Sequence, residues 1–113
     1  MIDKSEINRL NRVGADVAEL KLNKWTQEYY RFGIFYCLFY DWSPATDLTH
    51  NAMVMDHFDN WEVYKMKGYN RKGRLYTCTI WTDTGKWFIG QADTEALARA
   101  KAYEKAWEME KEI

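Results

Sequence analysis

RLYTCTIWTDTGKWFIGQADTEALARAKAYEKAW, residues 74–107, changes its hydrophobic period twice, and those changes decide the fold. From Arg74 to Thr82, threonine, tyrosine and isoleucine alternate as a strand packed on both faces requires. TDTG (82–85) then puts Gly85 where a type I turn closed by a bulge wants a left-handed residue, and Lys86 to Gln91 returns as the next strand. Beyond Asp93 or Thr94, either of which can cap a helix, Ala96, Ala100, Tyr103 and Trp107 recur at helical spacing. The small residues near the start of that helix let it lie close to a sheet. Upstream, Trp61 to Lys67 reads as a strand and 68–73 as a loop, so the unit is an antiparallel meander followed by a helix. In this register Tyr76, Cys78, Ile80 and Phe88 share one face, while Thr77, Thr79, Trp81, Trp87 and Ile89 share the other. Both faces carry large apolar groups.

Two more helices precede the meander. Residues 3–22 open with Asp3 and Glu6 as a capping box and set Ile7, Leu10, Val13, Val17 and Leu20 at spacings of three and four. Gly14 interrupts this helix, marking a kink or a close contact. Residues 43–58 form the second, with Ser43 as the cap, Pro44 at the first helical position, and Leu48, Ala52, Met55 and Phe58 on one side. The expected fold is therefore α+β and a single domain over residues 1–113. Its three- to four-stranded antiparallel sheet is layered between helices as α/β/α, in the order α-(β)-α-β-β-β-α. Helices on both sides would cover both apolar faces.

Between the first two helices, YYRFGIFYCLFYDWSP (29–44) places eight aromatic side chains in sixteen positions. The apolar run within it, Ile34 to Tyr40, is far short of the roughly 20 residues that a spanning helix needs. An edge strand or a packed cover accounts for most of these rings, and a partner-binding patch for the rest. The N-terminal MIDKSEINRLNRVGADVAEL has no apolar core before a cleavage site, which points to a cytoplasmic protein. Cys37 and Cys78 form no CxxC, consistent with buried small hydrophobes.

A net charge of −1 gives no whole-molecule attraction to nucleic acid or acidic membranes, so any charged site must be local. The most positive stretch is Lys65, Lys67, Arg71, Lys72 and Arg74, with Tyr64, Tyr69 and Tyr76 between them. Such a loop can grip an acidic protein surface or hold phosphates and stack bases, or simply keep a sheet edge soluble. The partner-binding candidates are accordingly Tyr29, Tyr30, Phe35, Trp42, Lys65, Lys67, Arg71, Lys72 and Arg74. Tyr69, Tyr76, Trp81 and Trp87 are stacking candidates, the two tryptophans if a sheet face is left open. His50 and His57, seven residues apart, are about 10 Å from each other along a helix and cannot share a metal ion. Asp47 and His50 make a polar pair at best. No nucleophile, GxSxG or phosphate-binding motif accompanies them, so no catalytic residue, metal or cofactor is expected. The glutamates at 104, 108, 110 and 112 read as a solvated helix end.

WSPATDLTHNAMVMDHF (42–58), WEVYKM (61–66), the threonine-rich strand and ADTEALARAKAYEKAW (92–107) together resemble the phage ABA sandwich domain family. ADVAELKLNKW (15–25) is similar to that family's first helix and its tryptophan. The resemblance implies a bacteriophage or prophage accessory protein acting in the host bacterial cytoplasm, with no established enzymatic activity. Residues 26–41, dense in aromatics, depart from the family. A phage protein of this kind is expected to be an inhibitor that binds a bacterial defence protein, such as a CRISPR effector, or sequesters its cyclic nucleotide signal. Edge strands and the aromatic run both invite self-association, for which a symmetric homodimer is the commonest form, and the sequence leaves the oligomeric state open. The alternative is a nucleic-acid-binding module using the basic hairpin 64–76, because the β-β-β-α rhythm is also similar to a double-stranded-RNA-binding domain. That family grips phosphates with a basic pair at the start of its last helix, whereas Glu95, Ala96 and Leu97 stand there here.

Overall fold

A computed structural model describes residues 3–67 and 74–111. Its C-terminal half follows the periodicity closely. Strands β4 (Trp61–Lys67), β5 (Arg74–Trp81) and β6 (Trp87–Ala92) form an antiparallel sheet in that order, and helix α3 (Glu95–Lys111) follows. The pairing of Cys78 with Gly90, Ile80 with Phe88 and Trp81 with Trp87 sorts the side chains onto the two faces that alternation predicts.

Helix α3 is seated on the Cys78–Ile80 face through its alanines. Ala98, Ala100 and Ala102 are fully buried. A Cβ on Gly90 would lie 2.3 Å from the Ala98 carbonyl oxygen and 2.5 Å from the Ala102 nitrogen, so helix backbone touches strand backbone at this point. Arg99 lies at the side of this contact, its guanidinium 4.8 Å from the Trp61 ring and 2.6 Å from the Glu95 carboxylate.

Helices α1 (Lys4–Val17) and α2 (Leu48–Met55) pack on α3. Tyr103, fully buried, donates from its hydroxyl to the Leu10 carbonyl at 2.6 Å. Gly14 makes room for that ring: a Cβ there would stand 2.8 Å from the Tyr103 hydroxyl and 2.8 Å from Pro44 Cγ. Close packing, of the two roles open to Gly14, is the one observed. Asn51, also fully buried, donates to the carbonyls of Pro44 (3.0 Å) and Ala96 (3.1 Å), tying α2 to the start of α3.

Three sequence expectations are corrected. The first helix stops at Val17, not at residue 22: Glu19 takes a left-handed φ of 61° and Leu20–Asn23 becomes strand β1. Leu20 is buried in either reading, so the helical stripe could not distinguish them. The second helix begins with Asp47 as its cap, accepting from the amides of Thr49 (2.8 Å) and His50 (3.2 Å). Ser43 instead closes a turn, its carbonyl accepting from the Thr46 and Asp47 amides. The helix buries Asn51, Val54 and Met55, with Phe58 beyond its end, and leaves Leu48 exposed. Finally, there are two sheets. Residues 20–38 form a second antiparallel sheet of β1, β2 (Glu28–Arg31) and β3 (Ile34–Leu38), followed by a 3-10 turn, Phe39–Asp41. The helices gather on one side of β4–β6, so the α/β/α layering is not formed. On the other side Tyr64, Trp87 and Ile89 are 46%, 63% and 46% exposed. Thr77 and Thr79 on that open face are nevertheless buried, and Gln91 donates to the Thr77 hydroxyl at 3.2 Å.

Gly90→Ala is expected to destabilise the fold by about 2 kcal/mol or more, because a methyl inserted between two backbones has no flexible neighbour to displace. Urea denaturation measures it. Tyr103→Phe keeps the ring and removes only the hydroxyl's bond, since the Leu10 carbonyl retains its place in the α1 ladder, and should cost about 0.5–1.5 kcal/mol in the same assay.

Candidate functional site

The aromatic segment is divided by strand alternation. On the side of the first sheet that meets the helices, Tyr29 and Trp42 are 4% and 3% exposed, with ring centroids 6.2 Å apart. Trp42 donates from Nε1 to the Asn11 carbonyl at 2.8 Å and stacks on His50 at 5.0 Å. Both residues were partner-binding candidates, and both are core. Tyr30 and Phe35 face outward as an edge-to-face pair 6.0 Å apart, with Phe35 49% exposed. Burial divides the run because Tyr29 and Tyr30 are neighbours on a strand and point to opposite faces.

The most exposed apolar groups of this sheet lie at its turns and margin. Trp25, Phe32, Ile34 and Tyr40 are 96%, 70%, 73% and 81% exposed, and sequence reasoning named none of them as a site. Phe32 and Gly33 are the central pair of the β2–β3 hairpin, with φ of 52° and 81°. Positive φ at both positions defines a type I′ turn, where Asn-Gly is favoured and a bulky residue is strained. Arg31 locks this tip in place. Its Nε donates to the Ala18 carbonyl at 3.0 Å, beyond the end of α1, and its guanidinium lies 5.1 Å from the Phe32 ring. A two-residue gap ending in glycine between alternating strands was the signal that could have found this turn.

The second apolar surface is the open face of β4–β6, where Trp81 and Trp87 stack at 5.5 Å. On the opposite face of the same sheet, the Lys65 ammonium is 5.5 Å from the Tyr76 ring. Lys67 and Arg74 oppose each other in the β4–β5 register. Tyr69, Arg71 and Lys72, with the side chains of Lys67 and Arg74, lie outside the described residues.

A groove of about 530 Å³ runs between α1 and the segment from Tyr29 to Ser43. Lys4, Asn8, Asn11 and Arg12 line it from the helix, and Tyr29, Tyr40 and Trp42 from the other wall. No carboxylate is among its lining residues. Burial raises the Tyr29 phenol above its ordinary pKa, with nearby Asp16 adding to the rise and Arg12 opposing it.

The histidines are held structurally. His50 Nδ1 accepts the Ser43 amide at 3.0 Å, which places the proton of a neutral ring on Nε2, and Asp47 is occupied as the helix cap. His57 meets Glu110 at 3.0 Å. Among the described residues no three His, Cys, Asp or Glu side chains are grouped to hold a metal ion, and no helix is long and apolar enough to cross a membrane. Cys37 and Cys78 are free thiols on separate sheets. Burial raises the Cys37 thiol and pushes Cys78 up to about 12. Comparison with protein-family models, with curated proteins and with solved structures found no match to this chain.

The thiolate is the reactive form. Cys78 is therefore expected to resist a maleimide at pH 8 in the native protein and to react on unfolding. A thiol whose pKa is raised by folding contributes stability that is whole below pH 9 and is lost as pH rises toward about 12. Alkaline denaturation of Cys78→Ala should show a shallower decline across that window.

Proposed function

We propose that this chain is a non-catalytic, phage-encoded binding protein of the host bacterial cytoplasm, a counter-defence inhibitor that occupies the surface of an immune component such as a CRISPR effector. One observation carries the binding part. Phe32 holds an exposed aromatic ring at a left-handed position that disfavours it by about 1–2 kcal/mol. Hairpin stability alone favours asparagine there. Strain held at an exposed tip is a mark of recognition, and an aromatic ring is a frequent anchor of protein interfaces. Ile34, next to this tip on β3, is 73% exposed, while Trp25 and Tyr40 stand exposed at the opposite end of the same sheet.

The phage origin and the immune target rest on the likeness of residues 42–58 and 92–107 to the phage ABA sandwich domain. A compact chain of that origin acts stoichiometrically, by contact. The competing nucleic-acid reading has the open face with its Trp81–Trp87 stack in its favour. Against it, Glu95 stands at the start of α3, paired with Arg99, where a duplex-RNA binder needs cations.

The test mixes the protein with purified CRISPR effector complexes and reads co-elution and target cleavage. Wild type should co-elute and suppress cleavage. Phe32→Asn combined with Ile34→Thr should bind about tenfold or more weakly while unfolding at the same or a higher temperature. A double variant that binds as tightly as wild type would sink the hairpin as the contact surface. Failure to join any effector, together with retention of RNA that falls as salt rises, would favour the nucleic-acid module instead.

A further inference from the structure

We infer that the groove along α1 is a nucleotide site, recognising a phosphate together with a planar heterocycle. This goes beyond the protein-contact reading and uses different residues from the Phe32 tip.

Charge selects an anion. Lys4 and Arg12 lie two turns apart on α1, roughly 12 Å along the axis, and both line the groove. The ion pairs among the described residues involve neither of them. Their nearest acidic neighbours by chain position do not line the groove. Asp3 is engaged with the Ser5 amide and hydroxyl, Asp16, one turn beyond Arg12, meets the Lys111 ammonium at 3.8 Å, and none of Asp3, Glu6 and Asp16 is among the lining residues. Two cations without carboxylates, facing one cavity, make a standing positive field that a phosphate would neutralise.

The remaining walls select a flat, polar ring. Tyr40 is 81% exposed, so its ring is open for stacking. Opposite, Asn8 and Asn11 present side-chain amides between the two cations. Asn11 is fixed: its Oδ1 accepts the Ala45 amide at 2.9 Å and its carbonyl accepts the Trp42 indole at 2.8 Å. Its NH2 group is thereby turned to a defined direction, as reading the edge of a base requires. A purely apolar ligand would leave these amides and cations unpaired, and a simple inorganic anion would leave the stacking wall empty. The volume, about 530 Å³, lies within the range of small-molecule sites.

The same chemistry is offered by a free nucleotide and by the end of a single strand, and the experiment separates them. The full chain is titrated calorimetrically with adenosine 5′-monophosphate, with cyclic di-AMP and with a short single-stranded oligonucleotide. Adenosine and inorganic phosphate serve as half-ligand controls. Saturable binding of a free nucleotide is expected, tighter than either half-ligand, and at least about tenfold weaker in Arg12→Glu and Lys4→Glu. Phe32→Asn should bind it as wild type does, so loss of the groove and loss of the hairpin contact are read independently. Binding of the oligonucleotide alone, abolished by the same charge reversals, supports the site with its ligand arriving on a strand. The inference is overturned if none of the probes binds saturably at low salt, if inorganic phosphate binds as tightly as the nucleotides, or if Arg12→Glu leaves affinity unchanged.

Discussion

The close approach of α3 to β6 over Gly90 is the constraint on which the rest of the molecule depends. Helix backbone meets strand backbone there, which only an alanine face on one partner and a missing side chain on the other allow. A helix held so near fills the inner face of the sheet with little side-chain volume of its own. Its opposite side then becomes the platform for α1 and α2, fixed by the Tyr103 hydroxyl on the Leu10 carbonyl and by the buried Asn51 amide. All three bonds join a buried side chain to a backbone carbonyl outside its own helix. Each is satisfied in only one arrangement of the helices, and that gives the packing its specificity.

Gathering the helices on α3 leaves two surfaces uncovered. One is the outer face of β4–β6, with its stacked tryptophans. The other is the first sheet, whose inner residues complete the core while its outer residues and turns carry apolar groups into solvent. Arg31 ties the second to the helices: it bonds the carbonyl at the end of α1 and lies beside the strained hairpin tip. The groove borders the same sheet, so residues 20–43 supply both the exposed apolar groups and one wall of a cation-lined cleft.

Much of the fold was legible because local chemistry and tertiary environment agree. Period-2 alternation in 74–92, the Gly85 turn and the alanine-rich helix all appear where their residues place them, as does the partition of Tyr76, Cys78 and Ile80 from Thr77, Thr79 and Trp81. The site was less legible. Tyr29 and Trp42 look like recognition residues in sequence, yet burial depends on what lies across from a residue, and one step along a strand reverses it. Phe32 was missed for a related reason, since its left-handed backbone belongs to a hairpin register that adjacent residues alone do not specify. His50 and Asp47 suggested a polar pair, but backbone amides claimed both.

By itself the chain's pattern determined an antiparallel meander closed by a helix, an amphipathic first helix, and a charge balance that confines any electrostatic site to a local patch. These follow from periodicity and composition, which each residue carries with it. Only the tertiary structure decided that residues 20–38 form their own sheet, that the helices share one side, and that Lys4, Arg12 and Tyr40 face a common groove. Those outcomes depend on contacts between residues distant in the chain, such as Gly14 beneath Tyr103 and Asn51 on the Ala96 carbonyl. No local period encodes which distant neighbour leaves room for another.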